Sequence, residues 1–295
     1  MANFRRGFDI VIAVWILHLC VGCSVFDDNQ SLSQASFFLN VVDSMGAGVP
    51  SSSVTLAPLY CFVNGFYSRT LTPEADGTYR YVFGSEDSVC LVSLAGRDPS
   101  EYSLAVPREG ESIHNVWLSL DGAASGEMSS SPSAVYYGLW KGTGAGFAKV
   151  GTDVPITLQD KRGKVHVLIK GLRERFGDGT YRVFIDGLRG QLAYDGTTQL
   201  SAMSTVELSG DFIPSTGDWL SKPVTTLTTS GNSVNVRLYK QDGTLLFKRN
   251  NDDDGQPLRV RENSDDVFCF IASQTGSFIV NVLPFEKVSQ EAIFQ

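Results

Sequence analysis

Four groups of residues in this 295-residue chain have the types and spacing to do chemistry. The first is Gly22-Cys23, which follows Arg5, Arg6 and an apolar stretch from Ile10 to Leu19. Once the segment before it is cut away, a cysteine so placed can carry a diacylglycerol on its thiol and a further acyl chain, such as palmitate, on its amine. The second group is Asn250-Asn251-Asp252-Asp253-Asp254-Gly255, whose oxygen donors at alternate positions imitate the first half of a calcium loop. The third is His114 and His166, the two imidazoles left after removal of the leader. The fourth is aromatic: Tyr136, Tyr137 and Trp140, with Trp117 and Trp219, are rings of the kind on which sugars stack.

Each group has a plain structural reading beside the chemical one. The apolar stretch is too short to span a bilayer core of roughly 30 Å, which takes about 20 residues, so residues 1–22 read as a cleaved export signal. Cys20 stands where a lipidation motif usually has Leu, and Asp9 intrudes at the start of the apolar run, so an ordinary secretory signal cut elsewhere is the alternative. At ~0.8 kcal/mol per buried methylene, one acyl chain holds a protein transiently and two hold it stably. Cys23 is therefore the expected membrane anchor.

The calcium imitation breaks at its twelfth place, which is Arg261 where a bidentate Glu is required. A solvated hairpin tip is the simpler reading, with Asp252 and Asp254 left as weak metal candidates. Neither histidine has a nucleophile or carboxylate motif beside it, and the chain contains no GxSxG, no HExxH and no P-loop. No enzyme and no cofactor are expected. Tyr136, Tyr137 and Trp140 lie in a strand-like segment, where aromatic rings more often pack in a core than form a glycan platform.

The formal charge is −8, and loss of the leader removes two positive groups and one negative, leaving −9. A diffuse negative charge excludes nucleic acid as a natural partner. Beyond Cys23 the mature chain has only Cys61, Cys90 and Cys269, so at most one internal disulfide can form. Closing the loop between Cys61 and Cys90 would stabilise the fold by roughly 3.5 kcal/mol. Free buried thiols are nevertheless expected, because a core of this size does not need a staple.

The elements that must position these residues are strands. Apolar residues alternate at Val165, Val167 and Ile169, at Tyr181, Val183 and Ile185, and at Val234, Val236 and Leu238. Further strands are predicted in SFFLNVV (36–42), TYRYVF (78–83), SVCLVSL (88–94), NVWLSL (115–120) and SFIVNVL (277–283). Asn64-Gly65, Asp76-Gly77, Asp178-Gly179, Asp195-Gly196 and Asp242-Gly243 supply tight turns between them. No amphipathic helix is predicted, and the fold class is all-β. The segment DGAASGEMSSSPS (121–133) is small, polar and nearly free of apolar side chains, which marks it as a linker. The expected organisation is a signal over 1–22, a lipidated stalk over 23–34, and β-sandwiches over 35–120 and 134–295.

AVYYGLWKG (134–142), VPITLQDKRGKVHVLIKGL (154–172), YRVFIDGL (181–188) and YSLAVPREGESIHNVWLSL (102–120) together resemble the fimbrillin-type lipoproteins of Bacteroidetes, more narrowly the anchor and accessory subunits of type V pili. Asp27 and Asp28, just after Cys23, look like the acidic export tag of Bacteroidetes surface lipoproteins. The resemblance implies two tandem transthyretin-like sandwiches of Greek-key type, no catalytic residues, fimbrial subunits as partners, and a lipid-anchored place on the outer face of the cell outer membrane. It also implies assembly by strand addition, which directs attention to the first strand, with Ser36, Phe37, Phe38 and Leu39, and to the last, with Phe278, Val280 and Val282. In the family, shaft subunits lose their first strand by cleavage at Arg or Lys. Between Cys23 and Arg69 this chain has neither, so its first strand is expected to stay. A surface glycan-binding lipoprotein, with a host or bacterial glycan or protein as ligand, is the alternative function.

Overall fold

The computed structural model describes residues 33–84, 87–123, 126, 131–143, 153–199, 203–229, 231–273 and 275–293. The expected signal and Cys23 lie outside the described residues. As the alternation predicts, the regular structure of the described residues is nearly all β. The first elements are β1 (Ser33–Val42), β2 (Thr55–Leu56), β3 (Leu59–Val63), β4 (Phe66–Leu71), β5 (Tyr79–Phe83) and β6 (Ser88–Gly96). They are followed by β7 (Tyr102–Leu104), β8 (Trp117–Leu120), β9 (Val135–Thr143) and β10 (Val154–Asp160). Next come β11 (Arg162–Lys170), the short helix α1 (Leu172–Phe176), β12 (Tyr181–Arg189), β13 (Gln191–Ala193), β14 (Met203–Leu208), β15 (Gly210–Phe212), β16 (Trp219–Ser221) and β17 (Val224–Leu227). The chain closes with β18 (Asn235–Lys240), β19 (Leu245–Arg249), β20 (Asp265–Ala272), β21 (Phe278–Pro284) and α2 (Phe285–Ile293).

An eight-stranded sheet runs β4-β3-β6-β9-β10-β1-β5, with β2 against β6. Strand β9 pairs along its whole length with β6 but meets β10 only where Tyr137 faces Gln159 and Tyr136 faces Asp160. The sheet therefore folds over at that narrow join and closes on its own apolar side chains. Ala35, Phe37 and Val41 from one layer meet Leu59, Cys61, Leu91 and Tyr136 from the other. Hydrophobic burial of this kind, about 1.5–3 kcal/mol for a large apolar side chain, is the main force holding the layers together.

The outer face of β3, β6 and β9 is covered too. Tyr60, Phe62, Val92, Leu94, Val135 and Tyr137 pack there against Leu118, Leu120, Leu192 and Tyr194 of a small sheet ordered β13-β8-β7. This explains why SVCLVSL reads as an unbroken apolar run, since a strand covered on both faces has no polar side to show. It also settles the cysteines. Cys61 points into the first core and Cys90 packs on the opposite face, so neighbouring strands carry them apart, and both are free thiols. Burial pushes the Cys61 thiol up to about 11.

The ten-stranded second sheet is built on β11, which has β16 and β17 antiparallel on one edge and β20 parallel on the other. A facing layer holds β14, β12, β18 and β19. Val165, Val167 and Ile169 meet Val183, Ile185, Val236 and Leu238 between the layers. Gly163 is required at the start of β11, because a Cβ there would stand 2.1 Å from the carbonyl oxygen of Arg261. The far face of β11 and β20 is covered by α2, whose Val288 joins Leu168, Val267 and Cys269 in a further cluster. The sequence predicts no helix here. A nine-residue helix carries too short a pattern to announce itself, and its stability comes from docking.

One boundary differs from the expectation. Strands β9 and β10, placed by the linker argument in the C-terminal half, belong to the first sheet, and the chain passes to the second sheet at Lys161, between β10 and β11. A Ser/Gly-rich segment marks a connection, but its composition carries no information about which sheet the chain joins next. Of that segment, Ala123 is buried and Ser133 donates both its N–H and its hydroxyl to Glu101, each at 2.7 Å.

Candidate functional site

The first strand is central rather than peripheral. On one edge β1 runs parallel to β10, with Phe37 opposite Val154 through Val42 opposite Gln159. On the other it runs antiparallel to β5, with Ser33 opposite Phe83 through Phe37 opposite Tyr79. Period-two alternation sends Phe37 and Leu39 into the core and turns Ser36 and Phe38 outward. Phe37 is fully buried, its ring 4.9 Å from that of Trp140 and 6.4 Å from that of Phe83.

The last strand has a different standing. β21 pairs with β20 from Phe278 opposite Ala272 to Pro284 opposite Asp266, and among the described residues no other strand pairs with it. Phe278 and Val280 are buried in the second core, and Val282 packs at its margin. The outer edge is met by a loop instead. The Asp253 N–H donates to the Val280 carbonyl at 3.0 Å, and Asp253 Oδ1 accepts from the Val280 N–H at 3.2 Å. One residue thus mimics a strand partner at the middle of an exposed edge. Sequence reasoning reads Asp253 only as part of a wet turn, and no local signal connects it with a strand 27 residues away.

That arrangement also accounts for the calcium-like cluster. Asp252 closes its own turn, with Oδ1 accepting from the Gln256 N–H at 2.7 Å, and Asp254 is exposed. Among the described residues no group of three or more His, Cys, Asp or Glu side chains is placed to hold a metal ion.

The aromatic group takes the packed reading rather than that of a glycan platform. Tyr136 and Tyr137 are buried on opposite faces of β9, Tyr136 in the first core and Tyr137 in the seam with the small sheet. The Tyr137 hydroxyl donates to the Tyr194 carbonyl at 3.0 Å, and burial drives both phenols well above their ordinary range. Trp140 packs on Phe37 and Phe83. A strand covered on both sides leaves Tyr136 and Tyr137 no open ring face to offer a sugar, and Trp140 is half-buried.

Nor do the histidines assemble a reaction centre. His114 is exposed, with Nδ1 2.6 Å from Asp195 Oδ2. His166 is buried, stacked on Phe285 at a centroid distance of 4.1 Å and lying 3.1 Å from Asp265.

No protein-family model matches the chain, and no curated protein matches it either. Solved structures do. The fimbrial anchor protein Mfa2 from Porphyromonas gingivalis superposes with a TM-score of 0.57 at 12% identity, over 85% of this chain and 96% of that one. A Bacteroides thetaiotaomicron protein provisionally described as polysaccharide binding gives 0.57 at 17% identity, over 85% and 97%. A protein from Bacteroides ovatus provisionally described as an adhesin gives 0.54 at 13% identity, over 86% and 94%. The resemblance read from the sequence is met in the fold. At these identities the likeness is one of fold alone.

Proposed function

We propose that the protein is a non-enzymatic, lipid-anchored subunit of a cell-surface fimbrial or adhesive assembly, held to the outer membrane through Cys23 and joined to other subunits by strand addition. One observation carries the choice of an anchor or accessory role over a shaft role: no Lys or Arg lies between Cys23 and Arg69, a span that includes the whole of β1, which is paired with β5 over 33–37 and with β10 over 37–42. A protease specific for those residues has no cut that would release β1 by itself. Arg69 lies within β4, so cleavage after it would strip most of β1 to β4 from the first sheet. The fold likeness to a fimbrial anchor protein supports the same reading.

Strand addition draws its affinity from main-chain hydrogen bonds and its specificity from alternate side chains seated in pockets. In this chain one edge open to it is that of β21, on either side of the Asp253 cap. The test is mass spectrometry of the protein recovered from the cell surface. The expected product begins at Cys23, carries acyl groups and retains β1, and Cys23→Ser removes it from the lipid fraction. A mature N-terminus beyond Arg69 without acylation overturns the reading.

A further inference from the structure

The first sandwich leaves the outer edge of β5 uncapped among the described residues. There β5 pairs with β1 alone, and no loop sends a main-chain hydrogen bond to Arg80, Tyr81 or Val82. A strand paired on one side turns the N–H and C=O groups of alternate residues to the other. The side chains hold this strand rigid. Tyr79, Tyr81 and Phe83 are buried in the first core, with the Tyr81 and Phe83 rings edge to face at 4.8 Å, while Arg80 and Val82 point outward.

Other edges of the molecule are guarded. The Tyr67 N–H of β4 donates to the Glu111 carbonyl at 2.7 Å, and the Tyr67 carbonyl accepts from the Gly110 N–H at 3.0 Å. The Thr205 N–H of β14 donates to the Gly126 carbonyl at 3.3 Å, and Asp253 caps β21. Strand β19 carries Lys248 and Arg249, and its pairing with β18 shifts register at Tyr239. Loops, bulges and charges of this kind keep a sheet from adding strands. β5 has no bulge, no proline and no lysine, its Arg80 is held by Glu74 at 3.4 Å, and Val82 is 44% exposed.

We propose, resting on the strand-addition reading above, that this edge accepts an extended strand from another subunit, an uncharged alternating stretch with a basic residue beyond each end. The main chain of an extended peptide matches a row of outward N–H and C=O groups in spacing. With β1 retained, the partner lies outside β5 rather than in the place β1 occupies between β5 and β10. Charge selects the occupant. Arg80 and Glu74 offset one another and Arg69 lies 5.0 Å over the buried Tyr81 ring, whereas Asp76 precedes β5 and Asp87 follows it in a chain of net charge −8. A second copy pairing antiparallel about Tyr81 would set the Asp76 end of each chain against the Asp87 end of the other, which like charges disfavour. Basic ends on an incoming strand meet the same carboxylates favourably.

The experiment is amide hydrogen exchange of the full mature chain with a synthetic peptide of alternating threonine and valine that has a lysine at each end. A glutamate-ended peptide and a proline-interrupted one are the controls. The lysine-ended peptide should protect amides within Arg80–Val82, and the glutamate-ended peptide should bind more weakly by about tenfold or more. Val82→Lys, which places a guarding charge on an exposed outward position, should weaken the lysine-ended peptide by a similar factor, with thermal melts showing that the fold is kept. Asp253→Ala, which opens β21, should leave the protection of β5 unchanged. Protection confined to β21, no protection of β5, equal binding of either control, or protection of β5 that rises with protein concentration in the absence of peptide would each overturn the proposal, the last in favour of a second copy. Acylation and retention of β1 are read separately by mass spectrometry of the surface protein, so failure here leaves that reading standing.

Discussion

Strands β1 and β21 both bury alternate apolar side chains in a sandwich core, yet they are held in different ways. β1 is paired with β5 over 33–37 and with β10 over 37–42 and sits inside its sheet, whereas among the described residues β21 has one strand neighbour and a single aspartate guarding its other side. The contrast separates two tasks that burial alone would merge. Side-chain burial fixes where each strand lies, and the pairing of its edges decides whether a second chain can join there.

The sharpest way to break the comparison is to hollow out the buried side of β1. Phe37→Ala should cost about 3–5 kcal/mol, because it empties the space between Trp140 and Phe83 in a layer that cannot easily collapse. Equilibrium denaturation with and without the substitution measures it, and a loss below about 1 kcal/mol would mean that β1 is not part of the core. Asp253→Ala should act on β21 more gently. The expected stability loss is about 1–2 kcal/mol for the missing edge bond, accompanied by a rise in self-association as the Val280 N–H becomes free to pair. Sedimentation at increasing concentration reads that association, and a strictly monomeric variant would show that Asp253 is not the guard.

The smallest expected effect is one of pH. Burial holds the His166 imidazole below its ordinary pKa, while Asp265 pulls the other way and Lys164 adds to the depression. The unfolded chain therefore binds the proton more readily, so this residue's contribution to stability is full above about pH 6.5 and is lost as pH falls below it. His166 stacks on Phe285, the first residue of α2 and the one that follows β21. The protection of α2 amides, taken relative to their intrinsic exchange rates, should thus fall as pH is lowered from about 7.5 to about 5.5, and His166→Gln should flatten that dependence.

Much of the scaffold was legible from the residues. The alternations at 165–169, 181–185 and 234–238 are the inward faces of β11, of β12 and of the segment leading into β18. Asn64-Gly65, with φ of 52° and 85°, makes the tight hairpin between β3 and β4 that its sequence predicts. What escaped has a common physical cause, which is that it depends on pairing across long sequence distance. The return of β9 and β10 to the first sheet, the burial of Tyr136 and Tyr137 on opposite faces, and the docking of Asp253 on Val280 all depend on partners distant in sequence. The outward face of β12 and β18 was visible only in part. Arg182 and Phe184 alternate with Val183 and Ile185 as an outward set must, but only the register of β12 against β18 sets each ring beside a guanidinium.

The passage at Lys161 has a mechanical consequence. The chain leaves the first sheet there through a single residue, and β13, reached from β12, then comes back to dock on β8 before the chain re-enters the second sandwich. Leu192, Tyr194 and Leu227 from the later half are sealed against Tyr60, Phe62 and Leu118 from the earlier one. A seam so apolar, crossed by the backbone more than once, leaves little freedom for hinge motion. A load applied to one sandwich would travel to the other as through a short stiff strut, with no slack tether to take up first.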